Sequence, residues 1–284
     1  MRSTLRARES KSQLVFLDSF SDVGSTYAMF ASILCQVVPQ MQRSYCVAVW
    51  CAVVATLAVV ITLGDGRYGV DLAAYYNASA FRCLKENYNV TFATVRAHHS
   101  WGGVDLNAPP TVANAWAGGM EIVDVYLFPC SFDRSASYQV NSTIDFLESM
   151  GVQYGRVWLD IEWNLTPPCE WNISDPAGNC RFLGQLLDAV VAKGRYVGVY
   201  CGPVFWNEYM GGDNCTVGKE YPLWWARYDG MPTNYSDFIP FGGWDSPNSK
   251  QYRGGWPKDN VCGVHELIDQ DWSRHYPLGP HRGD

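Results

Sequence analysis

Two carboxylates stand two positions apart in Gly155-Arg156-Val157-Trp158-Leu159-Asp160-Ile161-Glu162-Trp163. Val157, Leu159 and Ile161 alternate with Trp158, Asp160 and Glu162. A strand has a side-chain period of two, so Asp160 and Glu162 leave the same face. Acids held that close repel, which drives their pKa values apart and leaves one able to donate a proton near neutrality. A proton donor beside an anionic stabiliser is the equipment for breaking a glycosidic bond. The plainer alternative is a polar strand end with two solvated acids.

The elements around that strand decide between the two. Short apolar runs recur as Arg67–Asp71, Phe92–Ala97, Val123–Phe128, Arg156–Ile161 and Tyr196–Tyr200. Helical stretches fall between them at Ala78–Asn87, Ala113–Gly118, Tyr138–Met150 and Arg181–Lys193. Leu223–Tyr228, Lys250–Tyr252 and Leu267–Asp269 read as three further strands with little helix between them. Strand–helix alternation implies a parallel sheet. Eight strands in this length predict an α/β, TIM-like barrel of irregular (β/α)5(β)3 form, with its chemistry at the C-terminal strand ends. Asp71 ends the first strand and Asp269 the last, so both are expected at the mouth with Asp160 and Glu162. Tyr126, Tyr200, Trp224, Tyr228 and Gln251 are available there to bind substrate, although any single ring could equally be barrel wall.

Composition narrows the class of partner. The chain has 284 residues, 48% hydrophobic and 17% charged, with 12 Trp and 17 Tyr. Such a chain can build a sizeable core, and rings of this kind also stack on sugars. Without residues 1–64, 16 Lys and Arg stand against 25 Asp and Glu, a net charge of −9. That balance argues against nucleic acid as a partner and suggests an acidic working compartment. There is no C-x-x-C or H-E-x-x-H and the five His are scattered, so no metal site is expected.

The first 64 residues read differently. Cys46–Leu63 is an uncharged apolar run, preceded by Arg43 and followed by small residues suited to cleavage at Gly64–Asp65. Beginning at Met41, it reads as a signal peptide over 41–64, with 1–40 an upstream extension or a mis-called start. A type II membrane anchor is the alternative. Residues 65–284 then form the catalytic barrel. Seven N-glycosylation sequons begin at Asn77, Asn89, Asn141, Asn164, Asn172, Asn214 and Asn234, all after residue 65. The secretory pathway is expected, ending outside the cell or in a lysosome or phagosome. Seven cysteines share that stretch, so one thiol is left over if the rest pair. Cys169 and Cys180, bracketing a Pro/Asn/Gly-rich loop, are the expected local bridge.

The ordered segments Tyr68-Gly69-Val70-Asp71, Val125–Cys130, Arg156–Glu162, Tyr221–Trp224, Pro240–Trp244, Lys250-Gln251-Tyr252, Val261-Cys262-Gly263 and Ile268-Asp269 resemble the glycoside hydrolase family 25 lysozymes, in particular their eukaryotic secreted branch. The likeness runs from about Arg67 to Trp272. It implies cleavage of the β-1,4 bond between N-acetylmuramic acid and N-acetylglucosamine in bacterial peptidoglycan, by a monomer without metal or cofactor. By that resemblance Glu162 is the general acid, Asp160 stabilises positive charge on an oxocarbenium or oxazolinium ion, and Asp71 and Asp269 are supporting acids. Asp71-Leu72-Ala73 departs from the family's usual Asp-x-Ser, losing a hydroxyl near Asp71. The last-strand motif, Ile268-Asp269-Gln270-Asp271, departs too. A non-catalytic glycan-binding relative and a chitinase-like glycosidase are the competing readings.

Overall fold

The computed structural model describes residues 66–132, 135–257, 261–264 and 268–274. The extension over 1–40, the signal or anchor over 41–64 and the cleavage at Gly64–Asp65 lie outside them. No helix among the described residues is long and apolar enough to cross a membrane.

Among the described residues nine strands are present: β1 (Arg67–Leu72), β2 (Val90–His99), β3 (Gly103–Val104), β4 (Ile122–Leu127), β5 (Arg156–Ile161), β6 (Tyr196–Cys201), β7 (Leu223–Ala226), β8 (Ser249–Trp256) and β9 (Ile268–Ser273). The sheet order is β1-β9-β8-β7-β6-β5-β4-β2-β3, and a further β1–β2 pairing closes eight of the strands into a barrel. β3 is only a short hairpin partner of β2. Four helices pack outside: α1 (Ala78–Tyr88), α2 (Ala108–Ala117), α3 (Ala136–Ser149) and α4 (Pro176–Ala192). Short helical turns cover 203–214 after β6, and the later connections are loops, as the (β/α)5(β)3 pattern predicts.

Local chemistry sets the helix limits. Asn77, Ser135 and Asp175 each accept a backbone N–H with the side chain at the start of α1, α3 and α4. The Asp175 cap and Pro176 start α4 five residues before the expected Arg181, because proline suits a first helical turn. Asn89 ends α1 in a left-handed conformation with φ 55°.

Strand alternation divides the interior. Val70, Val95, Val125, Leu159, Val199 and their outward-facing neighbours join the helices in one apolar layer. Each such buried aliphatic side chain contributes about 1.5–3 kcal/mol through surface removed from water. Tyr126, Trp158, Tyr200 and Trp224 form a separate cluster inside the barrel. Gly198 makes room for it: a Cβ there would stand 2.4 Å from the Trp158 ring.

Two expectations are corrected. β9 is antiparallel to both β8 and β1, so Asp269 lies near its start and not its end. Because the strand runs backwards, its start is at the mouth, and Asp269 still falls opposite Asp71 in register. The expected Cys169–Cys180 bridge is absent: Cys169 pairs with Cys130 and Cys180 with Cys215, while Cys83 pairs with Cys262. Cys169 sits against the segment after β4, where its carbonyl accepts from the Ser131 N–H, whereas Cys180 is carried into α4. Cys201, on the outward face of β6, is the free thiol among the described residues.

Candidate active site

The floor of the barrel mouth is aromatic and hydrogen-bonded. Trp158 donates its indole N–H to Asp124 at 2.9 Å, and Trp224 donates to Asp271 at 2.9 Å. Trp224 meets Trp158 and Tyr200 edge to face, with ring centroids 5.7 and 4.6 Å away. Each buried indole N–H therefore has an acceptor, and the rings lock one another in place.

Above this floor is a cavity of about 90 Å³ lined by Asp71, Tyr126, Asp160, Glu162, Tyr200, Trp224, Tyr228, Gln251 and Asp269. β5 supplies Asp160 and, just past its end, Glu162. Asp160 lies beside Tyr200 in the β5–β6 register. Trp171 donates to the carbonyl of Glu162 at 3.0 Å, which fixes the chain as it leaves the strand. Asn164 fixes the next turn, donating to the carbonyls of Ser100 at 2.8 Å and Pro129 at 3.2 Å.

Gln251 ties the opposite wall together. Its amide nitrogen donates to Asp71 at 2.7 Å and Asp269 at 3.1 Å. Its carbonyl oxygen accepts from the hydroxyls of Tyr200 at 2.5 Å and Tyr228 at 2.6 Å. Asp269 also accepts the Gly255 N–H at 2.6 Å. The hydroxyl missing at Ala73 thus leaves Asp71 with another partner, Gln251.

Burial and their mutual proximity favour the neutral forms of the acids. Burial first, then Asp269, pushes Glu162 up to about 7. Asp160 is raised well above the carboxylate range by burial, Glu162 and Asp71, with Arg96 pulling against them. Asp71 and Asp271 are raised chiefly by burial and then by neighbouring carboxylates, and Asp269 by burial. Such a group cannot ionise fully at once, so protons are shared among its members. Asp160 is buried, and its Oδ1 has no hydrogen-bond partner among the described residues. A buried, unpartnered carboxylate oxygen on a residue that lines the cavity is set to accept from whatever enters.

The structure thus brings together every residue read from the sequence as catalytic, supporting or substrate-binding. Tyr126, Tyr200 and Trp224 are buried floor, while Tyr228 is exposed at the rim. Asp271 and Arg96 were missed. Asp271 is two positions from Asp269, and that spacing alone would have placed it on the inward face of β9. Arg96 is the charge that interrupts an apolar β2, with Nε on Asp105 at 2.9 Å and Nη2 on the Ala73 carbonyl at 2.7 Å. Among the described residues no group of His, Cys, Asp and Glu is arranged to hold a metal ion.

Of the sequon asparagines, Asn77, Asn89, Asn141, Asn172 and Asn214 are exposed and Asn234 is half-buried. Asn164 is corrected: it is buried, with its amide nitrogen committed to two carbonyls.

A family model described as lysozyme-like protein 1 matches residues 64–252. Probable GH family 25 lysozyme 2 of Dictyostelium discoideum is 41% identical over 65% of this chain and 82% of its own length. Lysozyme-like protein 5 of Caenorhabditis elegans is 34% identical over 70% of this chain and 88% of its own. The chain belongs to the glycoside hydrolase family 25 lysozymes. Solved structures carry the same fold at low identity. A bacterial lysozyme from Streptomyces coelicolor superposes with a TM-score of 0.56 at 19% identity, over 75% of this chain and 94% of that one. A family 25 lysozyme from Aspergillus fumigatus gives 0.54 at 17%, over 75% and 96%. Membership makes this lysozyme-family barrel a glycoside hydrolase, with its carboxylate cluster where a barrel enzyme places its chemistry.

Proposed function

We propose that the protein is a muramidase that cuts the β-1,4 bond between N-acetylmuramic acid and N-acetylglucosamine in bacterial peptidoglycan. The observation that carries this reading is the pairing of Glu162, titrating at about 7, with the unpartnered buried oxygen of Asp160 in one cavity. Glu162 gives its proton to the glycosidic oxygen as the bond from the sugar's anomeric carbon breaks. Asp160 Oδ1 accepts the N–H of the substrate's 2-acetamido group, whose carbonyl oxygen closes on the anomeric carbon. Water then opens the resulting oxazolinium ion and returns a proton to Glu162. While Glu162 is protonated its charge no longer opposes ionisation of Asp160, so the two acids can hold unequal states. Asp71 and Asp269, clamped by Gln251, act from the facing wall.

Purified protein is expected to clear a peptidoglycan suspension and release reducing ends of muramic acid. Glu162→Gln should cut the rate by about 100-fold or more, the scale of a lost general acid, with an unchanged circular dichroism spectrum. Clearing that survives in this variant rules out Glu162 as the proton donor. Turnover of chitin oligomers but not peptidoglycan would instead favour the chitinase-like reading, and binding without release of ends the non-catalytic one.

A further inference from the structure

A second, larger cavity lies across the β1–β2 seam from the catalytic one. It measures about 590 Å³ and is walled by Ala73–Asn77, Asn107, Gly263 and Arg96, among others. Asp71 lines the catalytic cavity and Ala73, two positions on, lines this one, so both open at the same end of the barrel. Its size is in the range of sites that enclose small ligands, roughly 300–1,000 Å³. The walls are braced: the Cys83–Cys262 bridge ties the neighbour of Gly263 to α1, and Arg96 is pinned to Asp105 and to the Ala73 carbonyl.

Charge separates the two cavities. Carboxylates crowd the smaller one, whereas among the described residues none lines the larger. Among the described residues Arg96 is the one cationic side chain lining either. Asp105 takes its Nε edge, with His99 3.5 Å from the same carboxylate, and Nη1 makes no hydrogen bond among the described residues. A guanidinium with a free N–H is suited to bind an oxyanion such as a carboxylate.

We propose that this cavity receives the acidic peptide branch of a peptidoglycan strand whose sugars occupy the catalytic cavity, an inference that rests on the muramidase reading. A sugar seated against Asp160 and Glu162 must carry its branch out of the barrel mouth. The carboxylates of that branch find no cation among the described residues of the catalytic cavity, whereas Arg96 offers them one. The cavity has the volume for several residues of such a peptide, far more than a lone lactyl carboxylate requires, and the unbonded Nη1 of Arg96 gives one of its carboxylates a donor.

The test compares two substrates: peptide-bearing glycan strands and the same strands stripped by an amidase, which keep the sugars and the lactyl group. The enzyme is made in a Ser79→Ala background, because Asn77 is a sequon asparagine lining this cavity. The peptide-bearing strand is expected to show a kcat/KM about tenfold higher, as for one charge-assisted hydrogen bond. Asn107→Asp places a like charge in the wall and should lower that preference about threefold or more, mainly through KM. Arg96→Lys, which keeps the charge but loses the fork, serves as a second variant and should also lower it. Equal kcat/KM on the two strands, or a preference that neither substitution changes, overturns the proposal. If no strand of either kind is cut, the muramidase reading falls and this proposal with it.

Discussion

Glu162 sets how activity depends on pH. It must be protonated to donate, and burial holds its pKa at about 7, so kcat/KM should decline as pH rises through about 7. A pH–rate profile with a maximum above pH 8 would contradict this. The same shifts bear on stability. Asp71, Asp160, Glu162, Asp269 and Asp271 all have folded-state pKa values above their ordinary ones. The folded state therefore binds more protons than the unfolded chain, and stability that is full below pH 4 drains away as pH rises, for Glu162 between 4.5 and about 7. His99, held below its usual value by burial, and Asp229, held below its own against burial by Lys250, work the other way, two groups against five. Thermal melting should occur at a higher temperature at pH 5 than at pH 8, and Glu162→Gln should narrow the gap. A melting temperature that climbs over this interval would refute the assignment. At this scale the sequence was informative where alternation was regular: Asp160 and Glu162 follow from a period of two. Asp271 obeyed the same rule but was hidden by attention to a single acid in β9. The clamp by Gln251 was illegible, because it joins residues from four separate strands and loops.

Lys250 shows how one element holds another. Its side chain is completely buried on the outward face of β8, with Nζ 2.6 Å from Asp229, 3.0 Å from the Met231 carbonyl and 2.7 Å from the Asn234 carbonyl. The ammonium also lies over the Trp225 ring at 5.1 Å. All three of its donors are used, and together they fold the 229–234 segment back on the barrel directly after Tyr228. Lys250→Met should cost about 3 kcal/mol or more, because it leaves a carboxylate and two carbonyls without their shared partner. Chemical denaturation measures this directly; a change below about 0.5 kcal/mol, the range of ordinary surface substitutions, would mean the cage is dispensable. Strand existence and order were readable from apolar runs bounded by turns. The direction of β9 was not, since an antiparallel strand shows no helix before it and neither do the two loops that precede it. The disulfides were misread for a related reason. Cys169 and Cys180 are near in sequence, but the turn fixed by Asn164 sends one toward β4 and the helix cap of Asp175 draws the other away.

At the scale of the barrel, Cys83–Cys262 is the longest-range covalent tie among the described residues, joining positions 179 apart. It links α1 to the β8–β9 connection, spanning the seam where β1 meets the antiparallel β9. Replacing both cysteines with serine should lower stability by about 3–5 kcal/mol, given the length of chain enclosed. Loss of hydrogen-exchange protection should appear first in β1 and β9; protection lost first in β5 and β6 would show that the seam is not the weak line. The reversed final strand has one more result. Arg67 and Ser273 face each other in register at the end of the barrel away from the acids. A label, fusion partner or solid support joined to the chain after β9 therefore departs from the back of the enzyme. Immobilised on a bead by that end, the protein would keep its cleft turned outward, toward a polymer too large and too insoluble to diffuse to it.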